Sequence, residues 1–385
     1  MARIHVVLPL YRDNDLAHDA FRRVVASVSS DLAMRCTILD KTEGAVALAW
    51  MDSDEVRALD RVTVVRSSRT SNFFVDAADV PLFEDEYLLM VHDDDDWTGL
   101  SCLTAELATS AVDVLVPRLI KVLANREEAE NLDWLAADLQ AAGRLARFLQ
   151  GARPQTFLFS AVSAQVWRGW ATYVRSRPLP SLSLDFTLAV YLLLTTRPAQ
   201  SPNYVYRFNM SNWTNQRTAQ ASTARWLAQD GWRTLTAEDV WLIRLLDDVS
   251  LLGYLSNQMP RAELELALAS VVRAQDGLTH GRFRLGWASG WLTPRIRWTV
   301  VAAQGLPDRI RRGDFRRAGI REQTRWGHVH PRLDPRPDRI LPSLSASLLP
   351  ALAATCQGAE REQVDYWAHW VSVLQARIAH DGRAH

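Results

Sequence analysis

The sequence predicts an α/β protein in which a mostly parallel sheet is sandwiched by helices and is followed by a mainly helical C-terminal domain. Two observations predict this fold class. Over about the first 215 residues, strands that are nearly continuous in apolar residues alternate with helical stretches, a pattern typical of parallel sheets covered on both faces. Beyond that point, apolar residues recur at helical spacing. A chain of 385 residues is long enough for both parts to have cores.

The predicted elements of the first part alternate along the chain between strand and helix. The first strand, residues 4–11, ends in the polar loop Arg12-Asp13-Asn14-Asp15. An apolar helix at residues 186–194 comes late in this part. The elements predicted between them are helices at about residues 16–28 and 54–59 and strands at residues 35–39, 61–65, 86–91 and 112–116.

The second part of the chain is predicted to be helical. We place the boundary within residues 214–223, which divides the chain into a domain of residues 1–218 and a domain of residues 219–385. Helical spacing of apolar residues predicts helices at residues 237–255, 261–274 and 363–378.

Four consecutive carboxylates, the acidic segment of residues 93–96, follow the predicted strand at residues 86–91. Adjacent carboxylates repel one another strongly unless a positive charge lies among them. A divalent cation is the simplest compensation, because Mg²⁺ and Mn²⁺ take carboxylate oxygens together with substrate phosphates. We predict a metal site in which Asp93 and Asp95 are favoured over the pair of Asp94 and Asp96, with Asp96 kept as a further candidate ligand. The alternative is a solvated acidic loop.

Three segments resemble those of the nucleotide-diphospho-sugar glycosyltransferases of the GT-A fold: the strand ending in Leu8-Pro9-Leu10-Tyr11, the strand ending in Asp40, and the acidic segment. The resemblance covers about residues 3–215. It implies that the opening loop and Asp40 hold the nucleotide, and that an Asp-x-Asp element coordinates the metal on the donor diphosphate. The residues that it implies for nucleotide-sugar binding are Pro9, Tyr11, Asp40, Arg69, Asn72, Asp93 and Asp94.

Asp185 is the candidate general base. A loop delivers this acid to the start of an apolar helix, where inverting members of the family place the carboxylate that removes the acceptor's proton. The alternative is that Asp185 caps the helix, and Leu184 stands where the family usually has a second acid. Residues 204–213 resemble the family's last strand and following loop, where Asn209, Asn212 or water would replace a third metal ligand.

Residues 282–339, the Arg/Trp segment, contain 14 arginines against 5 acids. Arginines alternate with aromatic residues, a mixture that can hold a nucleic acid through phosphate contacts and base stacking. The same mixture can lie on an anionic membrane surface or pack as arginine stems over tryptophan rings. The candidate acceptor-binding residues are Trp97, Arg311, Arg312, Arg316, Arg317 and Trp326.

Composition restricts the remaining classes of protein. The formal net charge is zero, so the charge of the whole chain predicts no partner. Cys36, Cys102 and Cys356 lack metal-ligand spacing, and no apolar run approaches the length of a membrane span. We therefore expect a cytoplasmic protein that is not transmembrane. No phosphate-binding P-loop and no Gly-x-Gly-x-x-Gly motif follows a strand.

Together these patterns predict a metal-dependent glycosyltransferase, of the hexosyltransferase type, that works by inverting single displacement. It would use Mn²⁺ or Mg²⁺ and a nucleotide-diphosphate sugar, with a UDP-sugar favoured. Its acceptor is open, and the alternative is DNA that carries a hydroxymethylated base and docks on the Arg/Trp segment. Two other classes stay open: a non-catalytic module that binds a nucleotide-sugar or a nucleic acid, and a nucleotidyltransferase, which would release pyrophosphate.

Overall fold

The structure, a computed structural model, confirms the predicted α/β fold. It describes residues 2–12, 14–42, 60–67, 72–123, 126–130, 132–136, 138–151, 155–180, 183–210, 216–236, 239–280 and 334–380. The predicted helix at residues 54–59 and most of the Arg/Trp segment lie outside these residues.

The described strands form one sheet, in the order β3-β2-β1-β4-β8-β6-β9-β5 with β7 paired to β6. The first four strands of this order run parallel, as predicted, whereas β8 pairs antiparallel with both of its neighbours. The short strands β5, β7 and β8 were not predicted, because a run of three or four residues is too short to show an alternating pattern. The strands are β1 (Arg3–Leu10), β2 (Met34–Asp40), β3 (Val62–Arg66), β4 (Glu86–Met90), β5 (Asp96–Thr98), β6 (Val114–Leu123), β7 (Arg126–Ala129), β8 (Ala161–Ser163) and β9 (Ala199–Asn209).

Helices cover the sheet and build the second part of the chain. Those up to residue 195 are α1 (Asp15–Ser30), α2 (Phe73–Ala78), α3 (Leu103–Ser110), α4 (Ala141–Gly151), α5 (Gln155–Leu158), α6 (Ala164–Arg175) and α7 (Leu184–Thr195). Those of the second part are α8 (Gln216–Gln229), α9 (Val240–Leu255), α10 (Arg261–His280), α11 (Pro337–Ser343), α12 (Leu349–Ala353) and α13 (Ala359–His380), with a π-helical turn, Leu344–Leu348, between α11 and α12.

The sequence explains where two helices of the first part form and what they bury. Asn14 caps α1, because its side chain accepts a hydrogen bond from the backbone N–H of Ala17 at 3.0 Å. The buried residues of α1 recur at helical spacing and form one face that packs on the sheet. In contrast, α7 is buried over most of its circumference and lies inside the core. Its sequence is therefore almost continuously apolar.

The parallel strands place their carboxyl ends at one edge of the sheet. The backbone N–H of Lys41 donates to the carbonyl of Leu10 at 2.9 Å, and that of Ser67 donates to the carbonyl of Asp40 at 2.9 Å. The backbone N–H of Val91, which precedes the acidic segment by two residues, donates to the carbonyl of Val7 at 3.1 Å. The loops that follow β1, β2, β3 and β4 therefore meet at this carboxyl edge, where open α/β sheets bind ligands.

The hydrophobic core runs without interruption from the sheet into the helices of the second part. Trp232 stacks on Trp367 of α13 with ring centroids 5.5 Å apart, and the backbone N–H of Leu179 donates to the side chain of Gln363 at 3.1 Å. The division at residue 218, which falls within α8, stays a prediction. No helix among the described residues combines the length and apolarity needed to cross a membrane.

Candidate functional site

The acidic segment and the opening loop meet at the carboxyl edge of the sheet. Oδ2 of Asp93 accepts hydrogen bonds from the backbone N–H groups of Tyr11 at 2.8 Å and Arg12 at 3.1 Å. Because β1 and β4 are adjacent and parallel, two segments that lie about 80 positions apart in sequence are in direct contact. The structure thus brings together Tyr11 and Asp93, two of the residues that the sequence proposes for nucleotide-sugar binding.

Arg12 neutralises part of the acidic segment. Its guanidinium lies 2.7 Å from Oδ1 of Asp93 and 3.0 Å from Oδ2 of Asp94. Burial raises the pKa of Asp93, and the charge of Arg12 opposes this shift. Both oxygens of Asp93 therefore have protein donors, and this carboxylate holds the opening loop in place.

Asp95 connects the acidic segment to the other half of the sheet. Its Oδ2 accepts from the Tyr206 hydroxyl at 2.8 Å, and its Oδ1 accepts from the backbone N–H of Asn209 at 2.8 Å. Burial raises the pKa of Asp95 to about 7, and the neighbouring charges of Asp94 and Asp93 act in the same direction. A bound cation would favour the ionised form of such a carboxyl.

His92 adds a nitrogen to this group of carboxylates. Its ring makes edge contacts with Phe73 and Phe159, each with centroids 5.3 Å apart. Burial lowers the pKa of His92 to about 4, so the imidazole is neutral and able to coordinate a metal. Ligand atoms of His92, Asp94 and Asp95 all lie within 4.8 Å of one another. An imidazole nitrogen beside carboxylate oxygens favours Mn²⁺ over Mg²⁺, because Mg²⁺ is the harder ion and prefers oxygen ligands.

Asp96 does not belong to this group. It is exposed and pairs with Arg23 of α1, whose guanidinium also donates to the Asp95 carbonyl at 3.0 Å. The same guanidinium lies 4.2 Å from the ring centroid of Trp97. Two arginines thus offset half of the negative charge in the acidic segment, and a divalent cation would balance the rest.

Trp97 is buried in β5 and stacks against Tyr206 with ring centroids 6.2 Å apart. It therefore lies beneath the loop of the acidic segment as part of the core. The other candidate acceptor-binding residues, Arg311, Arg312, Arg316, Arg317 and Trp326, lie outside the described residues.

Two of the residues proposed for the nucleotide, Pro9 and Asp40, lie in β1 and β2 at the carboxyl edge of the sheet. Pro9 lies two residues beyond Val7, which pairs with the last residue of β4. Asp40 is fully buried, and its oxygens accept from the Thr42 hydroxyl at 2.6 Å and from Arg66 at 2.8 Å.

Asn72 caps α2 by accepting from the backbone N–H of Phe74 at 3.0 Å, and this helix start lies beside His92, which contacts Phe73. Asn72 is thus the chain neighbour of a residue that contacts His92. Arg69, proposed together with Asn72, lies outside the described residues.

Asp185 lies in the first turn of α7, and the N-cap position of this helix is held by Ser183. Burial raises the pKa of Asp185 to about 6, and the charge of Arg244 opposes this shift. Arg244 belongs to α9 and lies 3.6 Å from the ring centroid of Phe186. The immediate surroundings of Asp185 are therefore set by the second part of the chain, and its role as base stays a prediction.

Four side chains at this edge were missed by the sequence analysis: Arg12, Arg23, Tyr206 and Asp230. Arg12 lies in the polar loop that follows the opening strand, and this position in the sequence indicates that it lies at the carboxyl edge. Arg23 and Tyr206 lie in a helix and a strand without any feature that sets them apart. Asp230 follows α8, far along the chain, and nothing in the sequence near it indicates a role.

Comparisons with known proteins show a likeness in fold alone. Neither a scan against protein-family models nor a search of curated proteins found a match. Among solved structures, S. aureus TarS 1-349 in complex with UDP-GlcNAc is similar with a TM-score of 0.47 and 11% identity, covering 99% of this chain and 92% of that chain. The mannosyltransferase PcManGT from Pyrobaculum calidifontis, in complex with GDP-Man and Mn²⁺, has a TM-score of 0.39 and 12% identity, covering 84% of this chain and 87% of that chain. Likeness at this level carries no argument about substrate or mechanism.

Proposed function

We propose that this protein is a metal-dependent glycosyltransferase that moves a sugar from a nucleotide-diphosphate sugar to an acceptor hydroxyl. The observation that carries the proposal is the grouping of His92, Asp94 and Asp95 within 4.8 Å of one another. The group lies at the carboxyl edge of a parallel sheet, directly beside the opening loop. A divalent cation bound there would neutralise the charge that develops on a nucleoside diphosphate as it leaves.

Each residue of the site would have its own role in binding. His92, Asp94 and Asp95 would hold the cation, and Asp95 also belongs to the pair, Asp93 and Asp95, that the sequence favours. Asp93 would orient the opening loop through the backbone N–H groups of Tyr11 and Arg12. Mn²⁺ is the preferred ion in this proposal, because the imidazole nitrogen favours it over Mg²⁺.

Asp185 would act as the general base of an inverting displacement. A base works best when its pKa lies near the operating pH, and burial raises the pKa of Asp185 to about 6. The carboxylate would take the proton of the acceptor hydroxyl as the oxygen attacks the anomeric carbon, and the nucleoside diphosphate would leave on the opposite side.

The test is the release of nucleoside diphosphate from a panel of UDP-sugars and GDP-sugars, measured with Mn²⁺, with Mg²⁺ and with EDTA. We expect release that requires a divalent ion and is faster with Mn²⁺. Equal release in EDTA would contradict the metal assignment. Release of pyrophosphate from a nucleoside triphosphate would instead favour a nucleotidyltransferase. Binding of a nucleotide-sugar without turnover, with every acceptor tried, would favour a binding module.

The acceptor is tested by repeating the assay with duplex DNA that carries hydroxymethylated cytosine and with unmodified DNA. The basic composition of the Arg/Trp segment supports this alternative through phosphate contacts. If DNA is the acceptor, only the hydroxymethylated duplex accelerates release, and its affinity falls steeply as salt increases. Release that neither duplex changes would direct the search to glycans, lipid carriers and small molecules.

A further inference from the structure

Helix α8 ends in a turn that places one acidic side chain at its C-terminus. Gly231 has φ +90°, a conformation that favours glycine. The backbone N–H of Gly231 donates to the carbonyl of Ala228 at 3.2 Å, and that of Trp232 donates to the carbonyl of Leu227 at 2.8 Å. These two bonds form the Schellman arrangement, in which the residue before the glycine, Asp230, is the C-cap.

The turn is held firmly against the rest of the protein. The indole N–H of Trp232 donates to the Pro180 carbonyl at 3.3 Å, and its ring stacks on Trp367 with an interplanar angle of 11°. A Cβ atom added at Gly231 would lie 3.2 Å from the side chain of Leu179. Asp230 is therefore presented by a packed and ordered element, as a binding side chain needs to be.

The position of Asp230 is unfavourable for a carboxylate. The residue is 8% exposed, and its Oδ2 has no hydrogen-bond partner among the residues that the structure describes. The C-terminal end of a helix carries partial negative charge, which repels an anion. Burial raises the pKa of Asp230 to about 7. An unpaired buried acceptor lowers the stability of a fold, so fold stability does not account for an acid at this position.

The neighbours of Asp230 lie at the nucleotide side of the carboxyl edge. The side chain of Asn72 hydrogen-bonds to Asp230, and Asn72 begins the helix that follows β3. Tyr11 of the opening loop is close enough for the charge of Asp230 to contribute to the raised pKa of its hydroxyl. Arg177 is fully buried, and its charge acts on Asp230. Its Nε and Nη1 atoms lack partners among the described residues. A buried cation with unpaired donors and a buried carboxyl with an unpaired oxygen therefore lie near enough for their charges to interact.

We infer that Asp230 binds the donor molecule by accepting a hydrogen bond from one of its O–H or N–H groups, through the oxygen that has no protein partner. This inference rests on the proposed function and extends it, because it assigns to the second part of the chain a direct contact with the donor. The O–H or N–H group that Asp230 binds belongs either to the nucleoside or to the transferred sugar. Both present hydroxyls, and carboxylates bind such donors through strong, charge-assisted hydrogen bonds.

Calorimetric titration with UDP, GDP, UDP-GlcNAc and GDP-mannose tests the inference on the full-length chain. We expect Asp230→Asn to weaken binding at least about tenfold, because the amide places an N–H where the ligand also has a donor. A loss that already occurs with UDP or GDP assigns the contact to the nucleoside. A loss confined to the nucleotide-sugars assigns it to the transferred sugar.

The matched control is Asp239→Asn. Asp239 is also a buried aspartate of the second part, but its Oδ2 accepts from both the backbone N–H and the hydroxyl of Thr236, at 2.7 and 2.8 Å. This variant should lose stability and keep the affinity of the wild type for each ligand.

Thermal unfolding without ligand provides the second readout. At pH 8, Asp230→Asn should unfold at the same temperature as the wild type or at a higher one, because it removes a buried charge on a carboxyl whose Oδ2 has no partner among the described residues. A lower unfolding temperature would assign Asp230 a structural role, and unchanged affinity for all four ligands would also overturn the inference. A wild type that binds none of them would overturn the proposed function and this inference together, whereas binding that Asp230→Asn leaves intact overturns the inference alone.

Discussion

At the scale of single residues, the site is a set of carboxylates whose surroundings differ. Asp93 has protein donors on both oxygens, Asp95 is held between Tyr206 and Asn209, and Asp96 is exposed beside Arg23. Adjacent acids in the sequence therefore have separate partners, and Asp93 and Asp94 lie in the turn that joins β4 to β5.

Replacement of Asp95 by Asn tests the metal site. We expect Asp95→Asn to reduce turnover at least about 100-fold at saturating Mn²⁺, because an amide is a much weaker ligand for a hard cation than a carboxylate. The fold should be retained at some cost in stability, since the amide has nearly the same shape but only one oxygen to replace the two that accept from Tyr206 and Asn209. Nucleoside-diphosphate release and thermal unfolding measure the two effects.

Asp79→Asn, which alters an exposed carboxylate paired with Arg175, serves as the control. Retained turnover of Asp95→Asn would remove Asp95 from the metal site.

Replacement of Asp185 by Ala tests the base. The pKa of Asp185 is raised to about 6, so the wild-type rate should rise with pH and level off above about pH 6, where the carboxylate is ionised. Asp185→Ala should bind the donor normally and lose at least about 100-fold in turnover, within the range for general base catalysis. Rates across pH 4.5–8.5 measure this, and a variant whose pH profile matches the wild type would reduce Asp185 to a residue of the first turn of α7.

Replacement of Asp248 by Asn tests the pH dependence of stability. Burial, together with the charge of Asp247, raises the pKa of Asp248 to about 8 from the usual 3.8. The folded state therefore holds this proton more tightly than the unfolded state, and stability falls as pH rises from about 4 to about 8. Asp248→Asn should increase the free energy of unfolding at pH 8 by on the order of 1–3 kcal/mol, the cost of an unsatisfied buried group. At pH 4 the gain should vanish. Urea unfolding at both pH values measures it, and an equal change at both would contradict the assignment.

At the scale of elements, the end of α8 depends on one backbone conformation. Gly231→Ala should lower the free energy of unfolding by about 1 kcal/mol or more, because φ +90° is unfavourable for alanine and its Cβ would lie 3.2 Å from Leu179. Gly143→Ala is the matched control, since Gly143 lies within α4 and its added Cβ would make contacts at 3.7 and 3.9 Å. That change should be neutral or stabilising. Urea unfolding compares the two variants, and equal effects would show that the conformation of Gly231 is not required.

Element prediction from the sequence succeeded where a segment is long and strongly patterned. The predicted strands at residues 4–11 and 35–39 correspond to β1 and β2, and the predicted helices at 237–255 and 363–378 lie within α9 and α13 to within a few residues. The short antiparallel strands were missed, because three residues of β8 acquire their conformation from the neighbours β4 and β6 and not from a local pattern.

At the scale of the whole molecule, a buried ion pair joins the two parts of the chain. Oδ1 of Asp247 accepts from Arg177 and from the Trp367 indole, and Oδ2 accepts from Ser183 at 2.7 Å. These contacts connect the loop that precedes α7 with α9 and α13. The loop that carries the candidate base is therefore oriented by the second part of the chain.

Replacement of Asp247 by Asn should destabilise the whole protein by about 3–5 kcal/mol, because it leaves the buried charge of Arg177 unpaired. Asp85→Asn, which breaks an exposed pair with Arg3, should change the free energy of unfolding by no more than about 0.5 kcal/mol. Urea unfolding followed by circular dichroism and by tryptophan fluorescence measures both. Coincident transitions are expected, because the core is continuous. A small effect of Asp247→Asn would show that this ion pair contributes little to the stability of the contact between the two parts.

The sequence by itself determined what lies in contiguous residues: the parallel half of the sheet, the acidic segment at the end of β4, and the helical character of the second part. Periodicity and adjacency are local properties of a sequence, and they can be recognised without knowledge of the fold. The tertiary structure decided which side chains meet that segment, as when Tyr206 contacts Asp95 across 111 positions of sequence and Arg23 pairs with Asp96 across 73. It also placed Asp230 beside Asn72. Such contacts depend on strand order and helix packing, which are set by the burial of the whole core, and no short stretch of sequence specifies them.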